Sequence, residues 1–396
     1  MLITRFTRLF AYGALSIVLV IYLTGLGFSE SRTGTLLTLT LLGDAIISLW
    51  LTTRADRFGR RRTLIIGAIL MAAAGVTFAV SNNMLLLIVA GTIGVISPSG
   101  NEVGPFLSIE QAALSHVVAD RIRTRVFARY TLIGAMATAA GALCAGFVSQ
   151  SISPPLRGER VVILLYAALG LLLLVLFSRL SPAAEVARQT GEPAAIRTIL
   201  GLHHSRNVVL RLASLFALDA FGGGFVVQSF VAYWFYIRFH VEPAALGGIF
   251  FGANVLAGIS ALLASRLATR IGLVRTMVFT HLPSNILLIL VPLMPNLQLA
   301  VAVLFARFSI SQMDVPTRQS YTMAIVRPDE RSATAGVTGV ARTIGAAIAP
   351  VFAGFLFSVP SLVNWPFFLA GTLKIAYDLL LYRAFVRLKP PEEVAS

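Results

Sequence analysis

Long apolar stretches alternate with short polar, arginine-rich segments along almost the whole chain. A helical membrane crossing needs about 20 mostly apolar residues, and twelve stretches reach that length. They run approximately over 9–28, 34–53, 63–81, 84–113, 127–149, 160–179, 208–237, 244–265, 273–294, 297–325, 333–358 and 364–386. The pattern therefore predicts an all-α integral membrane protein with twelve transmembrane helices.

Two of these stretches are too long for one straight crossing and contain helix-breaking residues. The stretch 84–113 has two prolines and two glycines near its middle, and 297–325 contains Pro316. Broken helices are tolerated in a membrane where they line a cavity. We therefore expect both stretches to be interrupted and to border a cavity.

Composition supports a membrane protein and narrows its class. Hydrophobic residues make up 57% of the 396 and charged residues 12%, whereas soluble domains carry about 25% charged residues. Cys144 is the single cysteine, which excludes an intrachain disulfide. The two lysines, Lys374 and Lys389, lie in no phosphate-binding GxxxxGK[ST] loop, and no HExxH or GxSxG occurs. We expect no enzyme, no ATP drive, no cofactor and no metal site.

The formal net charge of +15 is explained by topology. If the N-terminus is cytoplasmic, 25 of the 32 basic residues fall in inside segments and four fall outside. That asymmetry follows the positive-inside rule. It predicts a multi-pass protein of the cytoplasmic (inner) membrane with both termini in the cytoplasm, and it leaves no case for nucleic-acid binding.

The chain repeats itself. Gly59 and Thr63, after the second stretch, correspond to Gly272 and Thr276 after the eighth. The sequence therefore predicts an N-terminal six-helix bundle over 1–180 and a C-terminal one over 208–390. A cytoplasmic link (181–207) and a C-terminal tail (391–396) complete the predicted domains.

The loop Asp56-Arg57-Phe58-Gly59-Arg60-Arg61 resembles the signature loop of the major facilitator superfamily, and a degenerate copy follows the eighth stretch. The resemblance covers the whole chain. It implies two pseudo-symmetric six-helix bundles around a central cavity, lined by helices 1, 4, 7 and 10. It also implies a conformational latch formed by Asp56, Arg57, Gly59, Arg60 and Arg61. Thr269 replaces the acid in the second copy.

Ionisable groups at membrane depth are costly unless paired or hydrated, so they mark candidate sites. In the tenth stretch, Arg307, Ser311, Asp314 and Arg318 are spaced to stack on one helical face. The candidates for substrate binding or proton coupling are Glu102, Asp219, Arg307, Asp314, Asn101, Gln228 and Arg318. We expect Glu102, Asp219 or Asp314 to carry protons and Arg307 to bind an anionic group. The alternative is a structural pair such as Arg307–Asp314.

Two further pairs are predicted. Asp44 and Arg342 lie at mid-membrane in the second and eleventh stretches, and the resemblance implies that these helices face each other between the halves. We predict an inter-half pair there. Lys374 and Asp378 stand one helical turn apart, which predicts that they neutralise each other.

Three hypotheses for function remain open. The first is a secondary transporter that works by alternating access as a proton-coupled efflux antiporter. The second is a proton-coupled uptake symporter of a small organic anion, held by Arg307. The third is a transport-inactive ligand sensor. All three predict a monomer with a small-molecule ligand and the lipid bilayer as partners.

Overall fold

The structure is a computed structural model that describes residues 1–101, 104–117, 120–180, 204–327 and 330–388. Most of these residues are helical, and none of them forms a strand. The helices of the first half are α1 (Leu2–Gly25), α2 (Glu30–Phe58), α3 (Arg60–Val80), α4 (Met84–Ile93), α5 (Phe106–Val117), α6 (Asp120–Ser151) and α7 (Pro155–Ser178). Those of the second half are α8 (Arg206–Gly224), α9 (Gln228–Phe239), α10 (Pro243–Ile271), α11 (Leu273–Leu290), α12 (Leu297–Phe308), α13 (Asp314–Ala324), α14 (Arg331–Phe357) and α15 (Trp365–Phe385).

The predicted spans correspond to these helices. Within the described residues, nine stretches are long and apolar enough to cross a membrane, with α8 and α9 counted as one. The other three predicted spans are α4 with α5, α12 with α13, and α15. The shorter apolar helices α4 and α12 each supply part of a crossing. The all-α, twelve-helix prediction is therefore confirmed.

Asparagine and serine side chains begin several helices. Asn83 Oδ1 accepts from the N–H groups of Leu85 and Leu86 at the start of α4. In the same way, Asn296 Oδ1 accepts from the Leu299 N–H at the start of α12, and Ser29 Oγ accepts from the Arg32 N–H at the start of α2. A side-chain oxygen at this position satisfies a backbone donor that has no partner inside the helix. Polar residues between apolar stretches thus fix where these helices start.

Both predicted interruptions occur. Residues 94–105 separate α4 from α5, and Gly100 and Gly104 adopt positive φ there. Residues 309–313 separate α12 from α13, and Pro316 lies in the first turn of α13, where its missing N–H costs nothing. A third break, at 225–227 between α8 and α9, was not predicted. It follows three consecutive glycines, which are poor helix formers.

The described residues cluster into two compact units. The first unit comprises those of Met1–Gly191 together with Val227–Asn254, and the second those of Glu192–Val226 together with Val255–Ser396. In the first unit, α1 is almost wholly buried and packs against α6, α7 and α9. In the second, α8 packs against α14 and α15, and α11 packs against α15 and α13.

The repeated loop has the same backbone geometry in both halves. Gly59, between α2 and α3, has φ +97°, and Gly272, between α10 and α11, has φ +87°. The hydroxyl of Thr63 donates to the Gly59 carbonyl at 3.0 Å, and that of Thr276 to the Gly272 carbonyl at 2.8 Å. Only glycine adopts this conformation readily. The repeat found in the sequence is thus a repeated glycine turn.

Candidate functional site

Asp219 of α8 lies at the centre of a buried set of charges in the second unit. It is 3% exposed. Lys374 of α15 donates to Asp219 Oδ1 at 2.6 Å, and Arg318 of α13 donates to Oδ2 at 3.2 Å. Each carboxylate oxygen therefore has a cation of its own. Such pairing is the condition under which a buried charge is tolerated.

Arg318 connects Asp219 to a second carboxylate. Its Nη1 also donates to Asp314 Oδ2 at 2.9 Å, one turn earlier on the same helix. Asp314 is the first residue of α13, so the two residues of this pair lie one turn apart at the start of that helix. The Arg318 guanidinium additionally lies over the Phe216 ring, with Cζ 5.5 Å from the centroid. One arginine thus bridges two carboxylates.

A histidine connects Asp219 to a third carboxylate. His281 Nδ1 of α11 lies 2.8 Å from Asp378 Oδ1, and its Nε2 lies 3.7 Å from Asp219 Oδ1. Asn285 Nδ2 donates to Asp378 Oδ2 at 2.9 Å. Histidine is the side chain that ordinarily titrates near neutral pH. We call Asp219, His281, Asp314, Arg318, Lys374 and Asp378 the charge cluster.

The expected Lys374–Asp378 neutralisation is wrong. The two residues share α15, but Lys374 pairs with Asp219 on α8, and Asp378 is satisfied by His281 and Asn285 on α11. Partners on neighbouring buried helices replace the i, i+4 contact that sequence spacing favours. The two charged residues of α15 therefore connect it to two different helices, Lys374 to α8 and Asp378 to α11.

The charge cluster is close to balanced. Its three carboxylates face two permanent cations and one histidine. With neutral His281 the cluster carries one excess negative charge, and with protonated His281 it carries none. Arg342 of α14 lies within electrostatic range of Asp219 and Asp314. A single proton or one additional cation is therefore enough to remove the excess negative charge of the cluster.

Arg307 lies apart from these ion pairs. Its guanidinium stacks on Phe308, 4.9 Å from the ring centroid, and its buried Nε has no hydrogen-bond partner among the described residues. Asp314 makes its contact ion pair with Arg318 and not with Arg307, so the alternative of a direct Arg307–Asp314 pair is wrong, although Arg307 lies within electrostatic range of Asp314. The single-helix stripe fails as well, because α12 ends at Phe308 and five residues separate it from the start of α13 at Asp314.

The remaining cavity candidates are dispersed. Glu102 lies outside the described residues. Asn101 is exposed in the break between α4 and α5, where its carbonyl accepts from the Ser97 hydroxyl at 2.7 Å. Gln228 begins α9 and belongs to the first unit, where its Nε2 donates to Ser16 Oγ at 2.8 Å. Asp219, Asp314 and Arg318 thus lie together in the charge cluster, and neither Asn101 nor Gln228 is part of it.

A buried ion pair in the first unit was missed from the sequence. Glu110 of α5 accepts from both terminal nitrogens of Arg8, at 3.0 Å each, and from the Thr4 hydroxyl at 2.6 Å. The Tyr130 hydroxyl also donates to Glu110. Arg8 and Glu110 are both 0% exposed. The positive-inside rule accounts for Arg8 by orientation alone, and nothing near it in sequence points to Glu110, 102 residues later.

The loop motif is only partly described. Arg60 is 9% exposed at the start of α3, and Arg61 donates to the carbonyl of Ser178. The side chains of Asp56 and Arg57 lie outside the described part of the chain. The latch therefore stays a prediction.

The predicted Asp44–Arg342 pair also stays a prediction. Asp44, in the first unit, accepts from the Ser48 hydroxyl at 3.2 Å. Arg342 belongs to the second unit.

Comparison with known sequences identifies relatives of this chain. A sequence model described as Major Facilitator Superfamily matches residues 1–313 and 238–396. An uncharacterized membrane protein of Saccharomyces cerevisiae, YJR124C, is 31% identical over 414 residues, which cover 96% of this chain and 92% of the relative. An uncharacterized MFS-type transporter of Bacillus subtilis, YceJ, is 22% identical over 48% of each chain.

Solved structures have the same fold at low sequence identity. A bacterial homolog of the human lysosomal transporter Spinster superposes with a TM-score of 0.74 at 15% identity, covering 98% of this chain and 96% of the other. The xylose transporter XylE from E. coli gives 0.73 at 18% identity, covering 100% and 98%. The chain therefore belongs to the Major Facilitator Superfamily and is a multi-pass membrane transporter that works by alternating access, not an enzyme.

Proposed function

We propose that this transporter is a proton-coupled efflux antiporter for a small molecule, with the charge cluster as its coupling site. The observation that carries the proposal is Asp219, a carboxylate shared between Lys374 and Arg318 with a histidine 3.7 Å away. A group that binds protons or substrate in turn must be able to exchange partners. Asp219 has three such partners within reach.

His281 supplies the proton step in this proposal. Its two ring nitrogens face Asp378 and Asp219, so a proton gained on one side can be offered to the carboxylate on the other. Protonation of His281 removes the excess negative charge of the cluster. A cationic group of a substrate would do the same by binding at Asp219. Proton and substrate would therefore compete for one negative charge, which is the requirement for exchange.

The wider assignments remain part of the proposal. The arginine distribution supports a cytoplasmic membrane location with both termini inside. We retain two six-helix halves joined by 181–207, a latch at the Asp56–Arg61 loop, an Asp44–Arg342 pair between the halves, and a monomer.

The sign of substrate-driven proton movement tests this function. A ligand is first found by thermal-shift screening of the purified protein. Proteoliposomes with an acidic lumen and trapped pyranine then receive that ligand outside. Antiport raises the lumenal pH, because protons leave as substrate enters. We expect Asp219→Asn to abolish the pH change, whereas Glu242→Gln, an exposed carboxylate outside the charge cluster, retains it.

The same assay separates the other hypotheses. A fall in lumenal pH would overturn antiport in favour of symport, because substrate and proton then enter together. Binding without counterflow would instead indicate a ligand sensor. The symport alternative is favoured by one observation, the buried Arg307 Nε with no partner among the described residues, which suits an organic anion. In that case Arg307→Lys would weaken binding, since only arginine pairs bidentately with a carboxylate.

A further inference from the structure

A polar cavity lies in the first unit and contains no residue of the charge cluster. Its volume is about 360 Å3, within the range of small-molecule pockets. α1 contributes Ile21, Thr24 and Gly25, α7 contributes Glu159, and α9 contributes Tyr233 and Tyr236. All three helices belong to the first unit as the contacts define it.

Glu159 is the unusual member of this lining. It is 5% exposed, yet in the described part of the chain its carboxylate accepts no hydrogen bond and pairs with no cation. Glu110, the other buried glutamate of this unit's interior, takes four donors. The Oε2 atom of Glu159 faces α1, where a Cβ added to Gly25 would lie 3.6 Å from it. A buried carboxylate without a partner needs a cation or a proton.

The aromatic residues of the cavity suit a cation as well. Tyr233 and Tyr236 lie one turn apart on α9 with their rings stacked, the centroids 6.5 Å apart. The Tyr233 hydroxyl donates to Glu30 Oε1 at 2.6 Å, which holds that ring in position and adds a second carboxylate nearby. Tyrosine faces attract ammonium groups through the ring quadrupole.

The Thr24 hydroxyl donates to the carbonyls of Val20 and Ile21 on its own helix. It also interacts with the Tyr233 hydroxyl. The Glu159 oxygens can only accept, so Glu159 favours a ligand that donates N–H groups.

We propose that Glu159, Thr24, Tyr233 and Tyr236 form a binding site for a small organic ammonium ion. The ammonium N–H groups donate to Glu159, the tyrosine rings flank the charge, and the apolar part of the ligand contacts Ile21. Both carboxylates and the aromatic pair disfavour an anion. The proposal uses no residue of the charge cluster, so it stands or falls independently of the proposed function.

The test is calorimetric titration of the purified full chain in nanodiscs with phenethylammonium. 2-Phenylethanol, which has the same skeleton without the charge, is the ligand control. We expect binding of the amine only, and an affinity at least about tenfold weaker for Glu159→Gln. Glu242→Gln removes an exposed glutamate that does not line this cavity and should bind as wild type does.

A second variant keeps the charge and fills the space. Gly25→Val places methyl groups beside Glu159 Oε2 and against Leu156 Cδ1, so we expect it to weaken amine binding, and thermal unfolding of the variant checks that it still folds. Equal affinity for amine and alcohol, unchanged binding by Glu159→Gln, or no heat of binding up to about 1 mM amine would each overturn the proposal.

Discussion

Lys374 Nζ lies 2.6 Å from Asp219 Oδ1 on a different helix, although Asp378 stands one turn away on its own helix. A contact between residues 155 positions apart therefore takes precedence over a local one. Because both groups are buried, this contact decides whether the interior of the second unit holds a paired or an isolated charge.

We expect Lys374→Met to destabilise the protein by about 3–5 kcal/mol, because it leaves Asp219 short of one cation in a buried site. The measurement is the free energy of unfolding in a detergent titration. The double variant Asp219→Asn with Lys374→Met should lose less than the two single variants together. Rescue of Lys374→Met by Asp378→Asn instead would show that the local pair is the real one.

The Arg8–Glu110 pair gives a parallel prediction in the first unit. Glu110→Gln should cost about 3–5 kcal/mol, since Arg8 is then buried without a counter-charge. Tyr130→Phe removes one of the four donors to Glu110 and should cost about 0.5–1.5 kcal/mol. Thermal unfolding of the purified variants ranks them. A tyrosine variant as unstable as the glutamate variant would contradict this ranking.

The two glycine turns predict a matched pair of effects. Gly59→Ala and Gly272→Ala should each cost about 1–3 kcal/mol, because their φ angles of +97° and +87° disfavour any side chain. Gly336→Ala, at a helical position with open space around it, should be neutral or stabilising. The measurement is the melting temperature of each variant, which we expect to be lower for Gly59→Ala and Gly272→Ala than for Gly336→Ala. Equal stability of all three would refute the strain argument.

Close helix packing gives the last prediction. A Cβ on Gly141 would meet the Phe10 carbonyl oxygen, and one on Gly345 would meet the Ala217 carbonyl oxygen. Alanine at either site should therefore separate α1 from α6 or α8 from α14, at about 1–3 kcal/mol. Gly339→Ala, on the same helix as Gly345 but facing open space, is the control. Unfolding assays that fail to distinguish Gly345→Ala from Gly339→Ala would contradict the packing argument.

The helical spans, two of the three interruptions and the repeated glycine turn were predictable, because each depends on residues close together in sequence. Hydropathy reveals a span within about 20 residues, and a turn needs only Gly59 and its Thr63. The family fold followed from one loop motif and the count of spans.

The partners of the buried charges were not predictable in the same way. Asp219 is a candidate because of its depth in an apolar stretch, but nothing local indicates that Lys374 pairs with it rather than with Asp378. Arg8 was interpreted by its position near a helix end, whereas its role depends on Glu110, 102 residues later. Spacing along one helix also failed for Arg307, because the chain leaves the helix before Asp314. Side-chain pairing between helices requires the tertiary packing.

The charge cluster also has a consequence for the order of synthesis. Asp219 is made 99 residues before Arg318 and 155 residues before Lys374. At about 5–20 residues per second, roughly eight to thirty seconds pass before the ribosome has completed both cations. During that time Asp219 of α8 has neither of these two cations as a partner. Insertion of α8 therefore precedes the formation of both ion pairs, so neither pair contributes to the free energy of its initial insertion.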